Sequence, residues 1–287
     1  MSEIFDDRPC ALGEGPLWHP GRCQLFWFDI TGRRLLSRDG TGPLEWSLPD
    51  MCSAAGWIDD DRLLMASESG LWVFDIESGD RDRVTALEAD NHVTRSNDGR
   101  ADPWGGFWIG TMGKGNESEA GSIWRYYRGE LRLLFPKITI SNAIAFTPDR
   151  RFATFADTAR GLVWRTALDP LHGWPRGEPE PFLRARQGGM TNPDGAVFDA
   201  DGIFWLAEWG AARVAAYAQD GSFLRAVPVG GRHSSCPAFG GKDLRTLFTT
   251  TARQDLSSEI LAAEPLNGAT FRCDDVAQGM AEPCVIL

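Results

Sequence analysis

The chain has 287 residues, 43% of them apolar, with 12 Trp and 32 Gly against only 3 Tyr. That length allows a large buried core, and the composition argues against disorder. A formal charge of −11 and a pI near 4.9 leave no basic stripe for phosphates, so nucleic acid and anionic membrane surfaces are excluded as expected partners.

The start, MSEIFDDRPCALGEG, lacks a basic segment followed by an apolar one, and no run of 18 apolar residues occurs in the chain. The expectation is a soluble, cytoplasmic protein. Six cysteines (Cys10, Cys23, Cys52, Cys236, Cys273, Cys284) occur without a C-x-x-C pair and are expected to be free, buried thiols.

In chain order, the first predicted hairpin is PLWHPGRCQLFWFDI, in which an apolar strand, a Pro-Gly turn and an aromatic strand follow one another. The same form returns as AGWIDDDRLLMAS, GRADPWGGFWIGT, IAFTPDRRFATFAD, AVFDADGIFWLAE and PAFGGKDLRTLFTT. A second hairpin signal follows the repeats, as in GLWVFDIESG, GSIWRYYRG, GLVWRTALD and ARVAAYAQDG. The reading is four strands per repeat and six repeats.

Aligning Trp18, Trp57, Ala101, Phe146, Phe198 and Phe239 puts Glu14, Ser53, Asn97, Asn142, Asp194 and Ser235 at one equivalent position, at intervals of 39 to 52 residues. Four-stranded units of that period, with no helical periodicity between them, predict an all-β fold, a six-bladed β-propeller with four-stranded blades forming one domain over 1–287. Either the first dozen residues or the terminal EPCVIL is expected to supply the outer strand that closes the last blade. The Phe-Trp pairs at 26–27, 107–108 and 204–205 recur at one blade position and are read as core packing, while the Glu208 and Trp209 that follow could approach the mouth.

In a propeller the innermost strands line a central channel, so equivalent positions at their starts converge on one mouth. The converging set offers only oxygen donors, which suit Ca²⁺, Mg²⁺ or Mn²⁺. A divalent cation also relieves the repulsion between gathered carboxylates. The competing reading is that each Asn or Asp starts its strand through an Asx turn, and the clustering of four strong ligand types weighs against it.

Other motifs are absent. There is no G-x-S-x-G elbow and no H-E-x-x-H, and His19, His92, His172 and His233 share no spacing, although His233 falls just before Ser235 at the mouth. Gly13-Glu14-Gly15 lacks the rest of a phosphate loop, and Asp199-Ala200-Asp201-Gly202 is read as a hairpin turn rather than a calcium loop.

The segments LGEGPLW (12–18), RSNDGRADPWGGFWIGTM (95–112), ISNAIAFTPD (140–149), NPDGAVFDADGIFWLAEWG (192–210) and CPAFGGKDLRTLFTTTAR (236–253) together resemble the regucalcin, gluconolactonase and luciferin-regenerating enzyme family, the senescence marker protein family. The resemblance implies a six-bladed propeller and one divalent metal ion held by Glu14, Asn142 and Asp194, with Ca, Zn, Mg, Mn or Fe left open. It implies substrate contacts from Arg95 and Asn97. The acidic residue that many members carry after G-T-M corresponds to Glu117 or Glu119 in GKGNESEAG, Glu117 being the one carried forward. The implied activity is hydrolysis of a sugar lactone to the aldonic acid, with Asp194 as catalytic base and a small-molecule sugar lactone as partner to a monomer or weak homo-oligomer. The alternatives are an esterase or phosphotriesterase on the same site, or a non-catalytic calcium-binding propeller.

Overall fold

The computed structural model describes residues 2–184 and 191–287. Six four-stranded antiparallel sheets follow one another as blades. Their innermost strands are Gly13–His19, Cys52–Trp57, Thr94–Ala101, Ser141–Phe146, Asn192–Phe198 and His233–Gly240. Each packs on its neighbours and the sixth packs on the first, which closes the ring. The fold is a six-bladed β-propeller.

The closing strand is Glu3–Asp6, paired antiparallel to Thr270–Cys273 as the outermost strand of blade six. Arg8 fastens it to blade one: its guanidinium donates to Asp6 Oδ1 at 2.8 Å and to the carbonyls of Ser37 and Leu44 at 2.8 Å each. EPCVIL, the other candidate for this role, runs beneath blades two and three instead. Val285 N donates to Trp57 O and Ile286 N to Gly105 O, both at 2.8 Å.

Six apolar clusters fill the six seams between blades. Phe26 and Phe28 of blade one, for example, meet Leu63, Met65 and Phe74 of blade two. The Phe-Trp pairs at 26–27, 107–108 and 204–205 are all buried in such seams, and each large side chain contributes roughly 1.5–3 kcal/mol of transfer free energy. Prolines fall on the outermost strands, as Pro43, Pro136, Pro175 and Pro228 do, or on the innermost, where a sheet edge spares the missing N–H. Asp199 accepts from Asp201 N, Ile203 N and Trp205 Nε1, which makes its loop the turn expected. All six cysteines are free; Cys10, Cys52 and Cys236 are buried as expected, Cys273 and Cys284 are half-buried, and Cys23 is exposed in a hairpin turn.

One local feature recurs in every blade. The register between the innermost strand and its partner slips between Glu14 and Leu17, Cys52 and Ala54, Ser96 and Gly99, Asn142 and Ala145, Pro193 and Ala196, and Ser234 and Pro237. Each slip begins at or next to the equivalent position identified from sequence. A bulge adds a residue to one strand and re-aims a side chain, so the six ring residues sit where the backbone is bent. Gly15 follows with φ +53°, where a Cβ would lie 2.2 Å from Ser53 O, and Ala143 takes the same left-handed conformation in blade four.

Candidate metal and substrate site

Glu14, Asn97, Asn142 and Asp194 line one cavity of about 320 Å³ at the channel mouth. The two serines of the ring do not. Ser53 Oγ donates to Ser96 Oγ at 2.8 Å, and Ser235 Oγ donates to the Gly13 carbonyl, so both serve as bonds between blades. The sequence placed six oxygen donors on the ring, and the structure turns four of them to the cavity.

A chain of hydrogen bonds orders this floor. Arg95 donates to Asn97 Oδ1 at 2.7 Å, and Asn97 Nδ2 donates to Asn142 Oδ1 at 3.1 Å. Asn142 Nδ2 donates to Thr158 Oγ1 at 2.8 Å, and Thr158 Oγ1 donates to Pro193 O at 2.6 Å. The chain crosses blades three, four and five and ends one residue before Asp194. It fixes the Asn142 amide so that its oxygen keeps one lone pair free. Asp157 supports the same strand by accepting from Thr139 N and Ile140 N.

The electrostatics are unbalanced. Burial and the nearby Asp98 push the Glu14 carboxyl up to about 8, although the Gly15 N–H and Arg95 pull it down. Burial, then Glu14 and Asp98, hold Asp194 well above the usual carboxylate range against the pull of Arg95. Asp98, beneath them, is raised by burial to about 6 while accepting from Ile144 N at 2.7 Å. Burial lowers Arg95 to about 10 against the pull of Glu14 and Asp194, so it stays charged at neutral pH. Gathered carboxylates facing one guanidinium are the arrangement that a divalent cation would balance.

Among the described residues no group of three or more His, Cys, Asp or Glu could hold a metal. Two carboxylates, Glu14 and Asp194, share this mouth with the oriented Asn142 amide oxygen. An all-oxygen set of two charges and one amide suits a hard cation that keeps water in its remaining positions. The residues fit such an ion, and its identity is not decided by them.

The walls come from the ends of the second strands of blades three to six and the loops that follow them. Blade three supplies Met112 and Asn116, blade four Thr158 and Ala159, blade five Trp209, and blade six Gln254 and Asp255. Glu117 does not line the cavity. Its exposed side chain turns back and accepts from Gly115 N at 3.0 Å, while Glu119 is exposed with its N–H on Thr139 Oγ1. Of the two residues that the sequence offered for the mouth after the third Phe-Trp pair, Trp209 lines the cavity, whereas Glu208 is buried and accepts from Tyr217 at 2.6 Å. His233 stands just behind Trp209. The strand register would have found these walls, because Arg95 pairs with Met112 and Asn192 with Trp209, which puts second-strand ends at the rim where innermost strands begin.

The SMP-30/Gluconolactonase/LRE-like region matches residues 12–253. The chain is 34% identical over 280 residues to the 6-deoxy-6-sulfogluconolactonase of Pseudomonas putida, covering 96% of this chain and 95% of that protein. It is 34% identical over 289 residues to the L-arabinolactonase of Azospirillum brasilense, covering 98% of this chain and 94% of that one. The crystal structure of a calcium-binding protein, regucalcin, from Agrobacterium tumefaciens str. C58 superposes with a TM-score of 0.96 at 37% identity, over 100% of this chain and 98% of that chain. With all five motif segments starting inside the matched region, this chain belongs to the SMP-30/gluconolactonase/LRE-like family.

Proposed function

We propose that this protein hydrolyses a sugar lactone, an aldono-1,4- or 1,5-lactone, to the aldonic acid, using one divalent cation seated by Glu14, Asn142 and Asp194. The observation that carries the reading is the meeting of two buried carboxylates and an oriented amide oxygen on the floor of one cavity, with Arg95 beside them. The lactonase names of two full-length relatives support the reaction class, and the regucalcin likeness supports calcium among the candidate ions.

When bound, the cation would supply Lewis-acid polarisation of the ester carbonyl and offset the charge of the ligating carboxylates. Asp194, on the floor, takes the proton of the water that attacks the lactone carbon. The ring C–O bond then breaks, and the proton passes to the departing ring oxygen, which becomes the hydroxyl of the open acid. Arg95 pairs with the carboxylate as it forms and with neighbouring hydroxyls. Asn97 spends both ends of its amide on Arg95 and Asn142, so its part is to hold the Asn142 oxygen in place. Glu14 fixes the floor from the opposite side of the channel.

The setting is cytoplasmic in this reading, supported by six unpaired thiols. The test is acid release on a panel of aldonolactones, with chelator and after adding back Ca, Mg, Mn, Zn or Fe. Acceleration that vanishes with chelator and returns with one ion supports the proposal. No acceleration at any loading would overturn it in favour of a calcium-binding propeller without turnover.

A further inference from the structure

The cavity is lined by polar side chains together with Leu12, Met112, Ile140 and Ala159, and among its described lining residues Trp209 is the one aromatic side chain. It ends the strand Phe204–Trp209, half buried. Part of the indole packs against the apolar seam that contains Leu12 and Ala252. A further part is covered by His233, whose ring lies 4.2 Å away at an angle of 22°.

His233 is itself held in place. Its Nδ1 lies 3.0 Å from the carbonyl oxygen of Gln254, a residue of the same cavity wall. A carbonyl only accepts, so Nδ1 carries the hydrogen in this contact. Burial lowers the His233 pKa below the ordinary histidine value, which keeps the stacked ring neutral. The indole is thus fixed by a strand, an apolar seam and a backed ring, and what is left of its surface faces the cavity.

Across the cavity, blade three presents Arg95 and Asn116. A polyhydroxylated lactone has two kinds of surface. Its ester and hydroxyls want donors and acceptors, while its ring C–H groups form an apolar face that loses free energy in water unless covered. The geometry points to Trp209, backed by His233, as the specificity-determining platform that covers the C–H face of the sugar ring while blade three takes its hydroxyls. This rests on the lactone reading above and narrows it: the preferred substrates are closed rings with one face free of axial hydroxyls.

Steady-state kinetics on one aldono-1,5-lactone, together with calorimetric binding of the matching aldono-1,5-lactam, a closed ring that resists hydrolysis, test the platform in the wild type, Trp209→Ala, Trp209→Phe and His233→Ala. Trp209→Ala should raise KM about tenfold with kcat changed less than about threefold, and weaken lactam binding by a similar factor. Trp209→Phe should recover most of both, and His233→Ala should raise KM by about twofold to threefold while melting like the wild type. Unchanged KM and binding in Trp209→Ala would overturn the platform, as would kcat and KM failing together with no recovery in Trp209→Phe, which would make the indole a part of the fold only. A wild type that binds no lactam and accelerates no lactone would sink the lactone reading itself, an outcome distinct from either of these.

Discussion

The same six innermost strands make two mouths, and the two are built on opposite principles. At the cavity mouth Glu14 and Asp194 are buried beside Asp98 with one guanidinium, Arg95, to answer them, and an open cavity above. At the far mouth Arg100 stands in the channel with every donor group engaged. It donates to Ile144 O at 3.3 Å, Ala196 O at 3.1 Å and Pro237 O at 3.5 Å, carbonyls of blades four, five and six, and pairs with Glu282. Glu282 belongs to the C-terminal segment, whose backbone oxygen there accepts from Trp57 Nε1 at 2.7 Å. The far mouth is a satisfied lock across the ring, and the cavity mouth gathers more negative charge than one guanidinium balances. Native folds tolerate such frustration at functional sites because the rest of the structure over-determines it.

The sharpest break in that comparison is Asp194→Ala. Lactone turnover should fall by about 10³-fold, within the range for removal of a general base. Melting without cation should not fall, because one of the repelling carboxylates is gone. A lower melting temperature with activity retained would reverse the roles assigned to the two mouths.

Glu282→Ala is the mirror experiment. It leaves Arg100 buried without its carboxylate, and breaking a buried pair costs about 3–5 kcal/mol. Denaturant unfolding should show that loss while kcat/KM at 25 °C stays near wild type.

A pH series separates the mouths without mutation. Glu14 near 8 and Asp98 near 6 hold protons in the folded, cation-free protein more tightly than an unfolded chain does, where carboxylates titrate near 4. Their contribution to stability is complete below about pH 4 and is lost as pH rises through 6 to 8. Chelated protein should therefore melt lower at pH 8 than at pH 5.5. Saturating cation should remove that difference, since it binds the ionised form. Parallel pH profiles with and without cation would mean that these carboxylates do not ligate it.

The smallest effect concerns the wall. Asn116→Ala should raise KM by about threefold to tenfold through a lost hydrogen bond, while Glu117→Ala should leave KM unchanged. The reverse ranking would restore Glu117 to substrate binding.

How much of this was readable beforehand follows from what each feature depends on. The repeat was readable because strand and turn chemistry are local: each Asp/Pro/Gly turn between aromatic strands specifies its own hairpin. The ring was readable because equal spacing from the turn puts equal positions at equal heights. Which ring members face the cavity was not, since Ser53 and Ser235 find partners on neighbouring blades that lie 43 and 222 residues away. Glu117 and Asn116 differ by one residue in a loop, and a backbone N–H at Gly115 decided which of them turned away.

By itself, then, the order of residues determined the blade count, the strands, the equivalent position at the start of each innermost strand and the acid and amide donors placed there. Those depend on contacts within a few dozen residues. Only the tertiary structure decided that Glu3–Asp6 closes the ring, that EPCVIL runs beneath blades two and three instead, that Arg100 and Glu282 lock the far mouth, and that Trp209 looks into the cavity. The physical reason is that both chain ends can pair with several edges by local pattern, and the choice is made by the total burial and hydrogen bonding available once all six blades stand in a circle.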